Sequence, residues 1–63
     1  MSIGERLRAL RGADTQEQMG ARFGIAPSTW GMYERGDRVP RDEIKSRIAR
    51  YYGKTVDELF FQQ

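Results

Sequence analysis

Cysteine and histidine are both absent from the chain. Their absence excludes disulfide staples, thiolate or imidazole metal sites, and Ser-His or Cys-His catalysis, so packing alone must hold the fold. No apolar run approaches the roughly 20 residues that span a bilayer. Met1-Ser2-Ile3-Gly4-Glu5 lacks the basic-then-apolar layout of a secretory signal, so the expected location is the cytoplasm. There is no apolar/polar alternation long enough for a strand, no internal repeat and no low-complexity tract. Neither sign of charge dominates: Lys+Arg 11 against Asp+Glu 9 leaves +2. So mild a cationic bias matters only if the basic residues share a face. What remains is 63 residues with 38% hydrophobic and 32% charged side chains. That suits one small soluble domain over residues 1–63, because chains this short bury only about 60% of the surface their unfolded form exposes.

Periodicity and punctuation divide this length into five short helical segments, an all-α domain. Ile3, Leu7 and Leu10 fall on one stripe of the first, with Glu5, Arg6 and Arg8 elsewhere, and Gly12 supplies the stop. Thr15 and Gln18 make a capping box that opens the second. Met19 and Phe23 form its buried pair, and Gly24 ends it. Ala26-Pro27 restarts the chain as a third helix running to Arg35, where Gly36 stops it. A polar loop, Asp37-Arg38-Val39-Pro40, leads to a fourth helix with Ile44, Ile48, Tyr51 and Tyr52 on one side and Gly53 as its end. Thr55 and Glu58 form another capping box before a last helix carrying Val56, Leu59 and Phe60.

Helices two and three, joined by Gly24-Ile25-Ala26, make a helix-turn-helix, the unit that lays its second helix in the DNA major groove. Angles test whether the third helix suits that task. At 100° per residue from Pro27, Ser28 sits at about 100°, Gly31 at about 40°, Met32 at about 140° and Arg35 at about 80°. Trp30, Tyr33 and Glu34 lie between about 240° and 340°. One face therefore carries large aromatic anchors for a core. The other carries small or flexible side chains ending in a cation, able to approach base edges closely, with Met32 suited to thymine methyl groups.

Gln16-Glu17-Gln18-Met19-Gly20, Gly24-Ile25 and Trp30-Gly31-Met32-Tyr33-Glu34-Arg35-Gly36 resemble the helix-turn-helix signature of the phage Cro and repressor class, often called Xre-like. The likeness runs on through Pro40, Ile48-Ala49 and Thr55-Val56-Asp57-Glu58-Leu59-Phe60 and so covers nearly the whole chain. It implies a compact five-helix lambda-repressor-like fold, binding to double-stranded DNA at a palindromic operator as a homodimer, and transcriptional control. By the same resemblance Gln16 contacts a phosphate and braces the recognition helix. Pro27, Ser28 and Met32 face bases beside Gly31, Thr29 reaches the backbone, and Arg35 and Arg38 lie near phosphates. Arg11 and Glu34 match a family pair that locks helix one to helix three. Four positions depart from the pattern. The connection after Arg11 is about two residues shorter than usual, so helices one and two could meet differently. Trp30 replaces Ile or Val, with Gly20 and Gly31 the expected source of space for its indole. Ala26 replaces a Ser or Thr cap, and Asp37 stands where a basic residue is common.

Arg6, Arg8, Arg22 and Lys45 read as a solvated surface. Two phenylalanines at a chain end, Phe60 and Phe61, exceed what so small a core shelters, and they are assigned to a homodimer interface; the other reading folds Phe61 back over its own subunit. No phosphate-binding loop, metal cluster or activated nucleophile can be assembled, so the chain is read as no enzyme, with no cofactor and no small-molecule ligand. The leading function is a repressor acting by operator occupancy. The alternative is a helix-turn-helix used for protein contacts, as in an antitoxin or adaptor, because among Pro27, Ser28 and Met32 only Ser28 can hydrogen-bond through its side chain.

Overall fold

The computed structural model describes residues 1–61, and over them the chain forms five helices and no strand. These are α1 (Ile3–Arg11), α2 (Gln16–Phe23), α3 (Pro27–Arg35), α4 (Asp42–Tyr51) and α5 (Val56–Phe60). Three of the five begin with a reciprocal capping box: Ser2 with Glu5, Thr15 with Gln18, and Thr55 with Glu58. In each, a hydroxyl accepts from the third helical amide while the acid or amide side chain accepts from the cap's own amide. The Ser2–Glu5 box is an addition to the sequence reading, which assigned Glu5 only to the outer face. α3 starts on Ala26, which offers no side-chain cap, and relies on Pro27, which needs no amide partner in the first turn. α4 likewise lacks a side-chain cap at Arg41, and Asp42 and Glu43 place negative charge at its positive end. Gly36, at φ 80°, closes α3 in the left-handed conformation, with the Asp37 amide donating to the Met32 carbonyl at 2.9 Å. That closure fixes where Asp37 sits relative to the end of α3.

Leu7, Met19, Phe23, Trp30, Tyr33, Ile44, Ile48, Ala49, Leu59 and Phe60 make one core, bordered by Ile3, Leu10, Ile25, Tyr52 and Val56. Trp30 lies at its centre with no exposed surface. Its ring stacks on Phe23 with centroids 5.7 Å apart, and Tyr33 meets it edge-on at 6.1 Å. α3 packs against both α1 and α2, while α5 bridges α4 and α1. The third helix is therefore gripped from behind on two sides.

Two glycines permit that grip. A Cβ on Gly4 would stand 2.3 Å from the Glu34 carbonyl oxygen, and one on Gly20 would stand 2.5 Å from the Ile25 carbonyl oxygen. Gly4 lets α1 lie directly on α3, and Gly20 lets the turn fold tightly over α2. Neither Gly20 nor Gly31 provides space for the indole, contrary to expectation: Gly20 faces the backbone of the turn, and Gly31 faces the Gln16 and Arg35 side chains. The indole is housed by the aromatic rings beside it.

The basic residues assigned to a solvated surface also need correction. Arg6 donates to the Glu58 and Leu59 carbonyls at 3.2 and 3.0 Å, tying α1 to the end of α5. Arg22 bonds Asp14 at 3.2 Å, and its guanidinium lies over the Tyr51 ring. Lys45 is buried, with its ammonium over the rings of Phe60 and Phe61. Of these four residues only Arg8 is exposed. Tyr51 departs from its stripe as well: it is exposed, and the half-buried Tyr52 takes the inner of the two positions beside Phe23.

Candidate nucleic-acid interface

α2, the turn through Gly24-Ile25-Ala26 and α3 form one rigid corner. The Ile25 amide donates to the Gly20 carbonyl at 2.9 Å, and the Ala26 carbonyl accepts from Thr29 and Trp30. The short connection after Arg11 is closed by Arg11 itself, whose Nη1 donates to the Asp14 carbonyl at 2.9 Å.

Glu34 anchors this corner to α1. Arg11 donates to it from Nε to Oε2 at 2.6 Å and from Nη2 to Oε1 at 3.2 Å, a bidentate pair. The Trp30 indole Nε1 donates to Oε2 at 2.5 Å, and Gln16 Nε2 donates to Oε1 at 3.3 Å. A buried carboxylate thus ties three helices together at the back of α3. Burial by itself would raise the Glu34 pKa, but the donors from Arg11, Trp30 and Gln16 outweigh it and hold the carboxyl below its ordinary value. The Arg11 guanidinium is pushed up in turn, chiefly by its bond to Glu34.

A pH prediction follows from the direction of that shift. Because the folded pKa of Glu34 is depressed, its stabilisation is complete above the unfolded value near 4.5 and is lost as pH falls through the lower folded value. Glu34→Gln should lower stability at neutral pH by about 2–3 kcal/mol, below the range for a fully buried pair because Arg11 is partly exposed. It should also make the acid limb of a stability-against-pH curve shallower. Urea titrations of both proteins across the acid range read this directly. An unchanged acid limb would contradict the assignment. Glu5 and Glu58, whose carboxyls are also lowered, first by the backbone amides of Ser2 and Thr55, should continue to contribute in both proteins.

The outward side of α3 is different in kind. Pro27, Ser28 and Arg35 are exposed, Thr29 and Met32 are half-buried, and Gly31 is buried beneath the ends of Gln16 and Arg35. The Arg35 Nη1 and the Gln16 Oε1 lie 3.1 and 3.2 Å from where a Gly31 Cβ would stand. Arg35 Nε also donates to Asp37 Oδ2 at 3.1 Å. The Gln16 side chain therefore reaches from Glu34 at the back of α3 to Gly31 and Arg35 on the outward side, with Ser28 and Met32 on the same helix.

Arg38 stands apart from that group. It borders a groove of its own with Thr29, Ile25, Arg41, Ile44 and Arg47. Arg47 is committed there to the Phe23 carbonyl at 3.2 Å and to Glu43 at 2.6 Å. Arg41 and Arg47 were not singled out from the sequence, although the Glu43–Arg47 spacing of four on a helix signals that pair. At the chain's end the two phenylalanines separate. Phe60 is turned into its own core, so it is not an interface residue, whereas Phe61 is 62% exposed.

Among the described residues no buried side-chain nitrogen or oxygen lacks a partner and no acidic cluster could hold a metal. No described helix is long and apolar enough to cross a membrane. The geometry is that of a scaffold presenting one helix face.

No curated protein matches the chain in sequence. Among solved structures, the P22 c2 repressor protein in complex with synthetic operator 9T, in the presence of Tl+, is similar with a TM-score of 0.89 and 23% identity. The similarity covers 100% of this chain and 98% of that one, so the two share a fold. A family model described as a helix-turn-helix domain matches residues 2–59. With nearly all of its length in that match, the chain belongs to the helix-turn-helix domain family.

Proposed function

We propose that the chain is a sequence-specific double-stranded DNA-binding regulator of transcription that seats α3 in the major groove. The observation that carries this reading is the division of α3: Trp30 and Tyr33 are buried behind it while Pro27 and Ser28 are exposed in front and Met32 is half-buried beside them. A short helix held rigidly from behind, with little bulk in front, is what direct readout of base edges requires. That a protein with the same fold forms a complex with an operator supports DNA as the target.

In this account Ser28 and Met32 read bases, with Pro27 close against them and Gly31 keeping the face low. Gln16, Thr29 and Arg38 contact phosphates on either side. Two copies joined through a surface that includes Phe61 would set their third helices one DNA turn apart, about 34 Å, and read a palindrome. Occupancy of that site in the cytoplasm represses by obstruction, and no cofactor takes part.

Selection of bound fragments from random duplex DNA tests the reading. The wild type should yield a palindromic motif, and Ser28→Ala or Met32→Ala should each alter it at a defined position, at a cost of about 1–3 kcal/mol for the wild-type base. An unaltered motif in both variants would show that neither Ser28 nor Met32 reads the site. Recovery of no DNA would instead favour a helix-turn-helix that meets a protein.

A further inference from the structure

The reading face poses a question that Ser28 and Met32 leave open: a cation, Arg35, ends the helix, yet its side chain does not extend outward past that end. Its Nη1 lies 3.1 Å from the position a Gly31 Cβ would take, one full turn back along α3. The guanidinium is thus folded toward the helix N-terminus, over the one residue on that flank with no side chain, and onto the face shared with Ser28 and Met32. Two neighbours keep it there. Gly31 supplies the slot, which any side chain would fill. Asp37, set in place by the left-handed turn at Gly36 and by its amide bond to the Met32 carbonyl, accepts from Arg35 Nε at 3.1 Å.

We propose that Arg35 is a specificity-determining residue that reads a guanine in the major groove, with Asp37 as the positioning residue that aims it. The inference rests on the DNA-binding reading above and names a determinant within it.

Two physical points favour a base over a phosphate as the target. First, a carboxylate beside the guanidinium offsets part of its attraction for an anion, and a phosphate brought to Arg35 is also brought to Asp37. A base edge carries no net charge and meets no such repulsion. Second, engaging Nε leaves the end-on pair Nη1 and Nη2 free in a fixed plane. Two parallel donors in a fixed plane match the O6 and N7 acceptors of guanine. Lysine, a single point donor, cannot reproduce that fork.

The test uses the selected operator and the same duplex with each half-site guanine replaced in turn. The wild type should prefer guanine at one position per half-site by about five- to a hundredfold. Arg35→Lys keeps the charge, so it should retain affinity for nonspecific DNA and the salt dependence while losing that preference. Asp37→Asn should bind all sequences more tightly yet discriminate less at the same position. Both side chains are more than half exposed, so neither substitution touches the core. A guanine preference that survives Arg35→Lys overturns the inference. So does an Arg35→Ala variant that weakens all sequences equally and lowers the salt slope by about two, one for each copy, because that is the signature of a phosphate contact. Asp37→Asn with discrimination intact would reduce Asp37 to a neutralising charge and overturn its positioning role. Failure of the wild type to bind any duplex would instead remove the DNA-binding reading, and the inference with it.

Discussion

Trp30→Ala should leave the domain largely unfolded at room temperature. The indole has no exposed surface, stacks on Phe23, meets Tyr33 edge-on and donates to Glu34. Removing a buried aromatic of this size costs about 3–5 kcal/mol in lost transfer and cavity terms. Here it also takes a donor from a carboxylate that burial penalises. A 63-residue domain has only about 3–9 kcal/mol in all at the usual stability per residue. Trp30→Phe keeps most of the stack and gives up the indole donor, so it should cost about 1–2 kcal/mol and remain folded. Urea titrations followed by far-ultraviolet circular dichroism separate the variants. A loss below about 1 kcal/mol for Trp30→Ala, well under the range for such truncations, would mean that the core is organised around some other group.

Affinity for the operator should fall about a hundredfold between roughly 50 and 200 mM salt, the loss expected when about four cationic contacts release phosphate counterions. A dimer in the proposed placement supplies them from Arg38 in each copy and from Arg41, which stands close by on the groove that Arg38 borders; Gln16 and Thr29 are neutral and add hydrogen bonds without releasing counterions. The net charge of +2 is too small to produce such a dependence by itself. It requires cations gathered on one side, as they are around α3 and the start of α4. Binding isotherms at several salt concentrations give the slope, and a nearly flat one would exclude a phosphate-dominated contact. Arg38→Ala should lower the slope by about two, one for each copy in the dimer, and weaken all sequences alike.

Much of this architecture is written locally. Gly24, Gly36 and the Thr15 and Thr55 caps punctuate the chain where helices stop and start, so the element boundaries are legible without knowing what packs against what. The inward turn of Trp30 and Tyr33 follows from helical period. What escaped the sequence depends on contacts between distant segments. Gly4 is an unremarked residue in its own helix, and its role appears only when the Glu34 carbonyl is seen above it. The Arg11–Glu34 pair was suggested by resemblance, but the Trp30 donor that joins it belongs to this chain's departure from the family pattern. Arg6, Arg22 and Lys45 look like surface charges because their partners are a helix end, a loop acid and two rings from other parts of the chain. Phe60 and Phe61 are adjacent, and α5 turns one ring inward and the other outward. The posture of Arg35 depends on residues 31 and 37 together, which no single-residue propensity expresses.

The central claim is that the outward face of α3 enters the duplex, and a heteronuclear NMR titration of the labelled protein with its selected operator tests it most directly. The account predicts that the largest amide shifts fall at Gln16, Ser28, Thr29, Gly31 and Met32, with smaller ones at Arg38, while Leu7 and Ile48 in the core stay still. Shifts concentrated on α5 and Phe61, with α3 unmoved on addition of DNA, would contradict it.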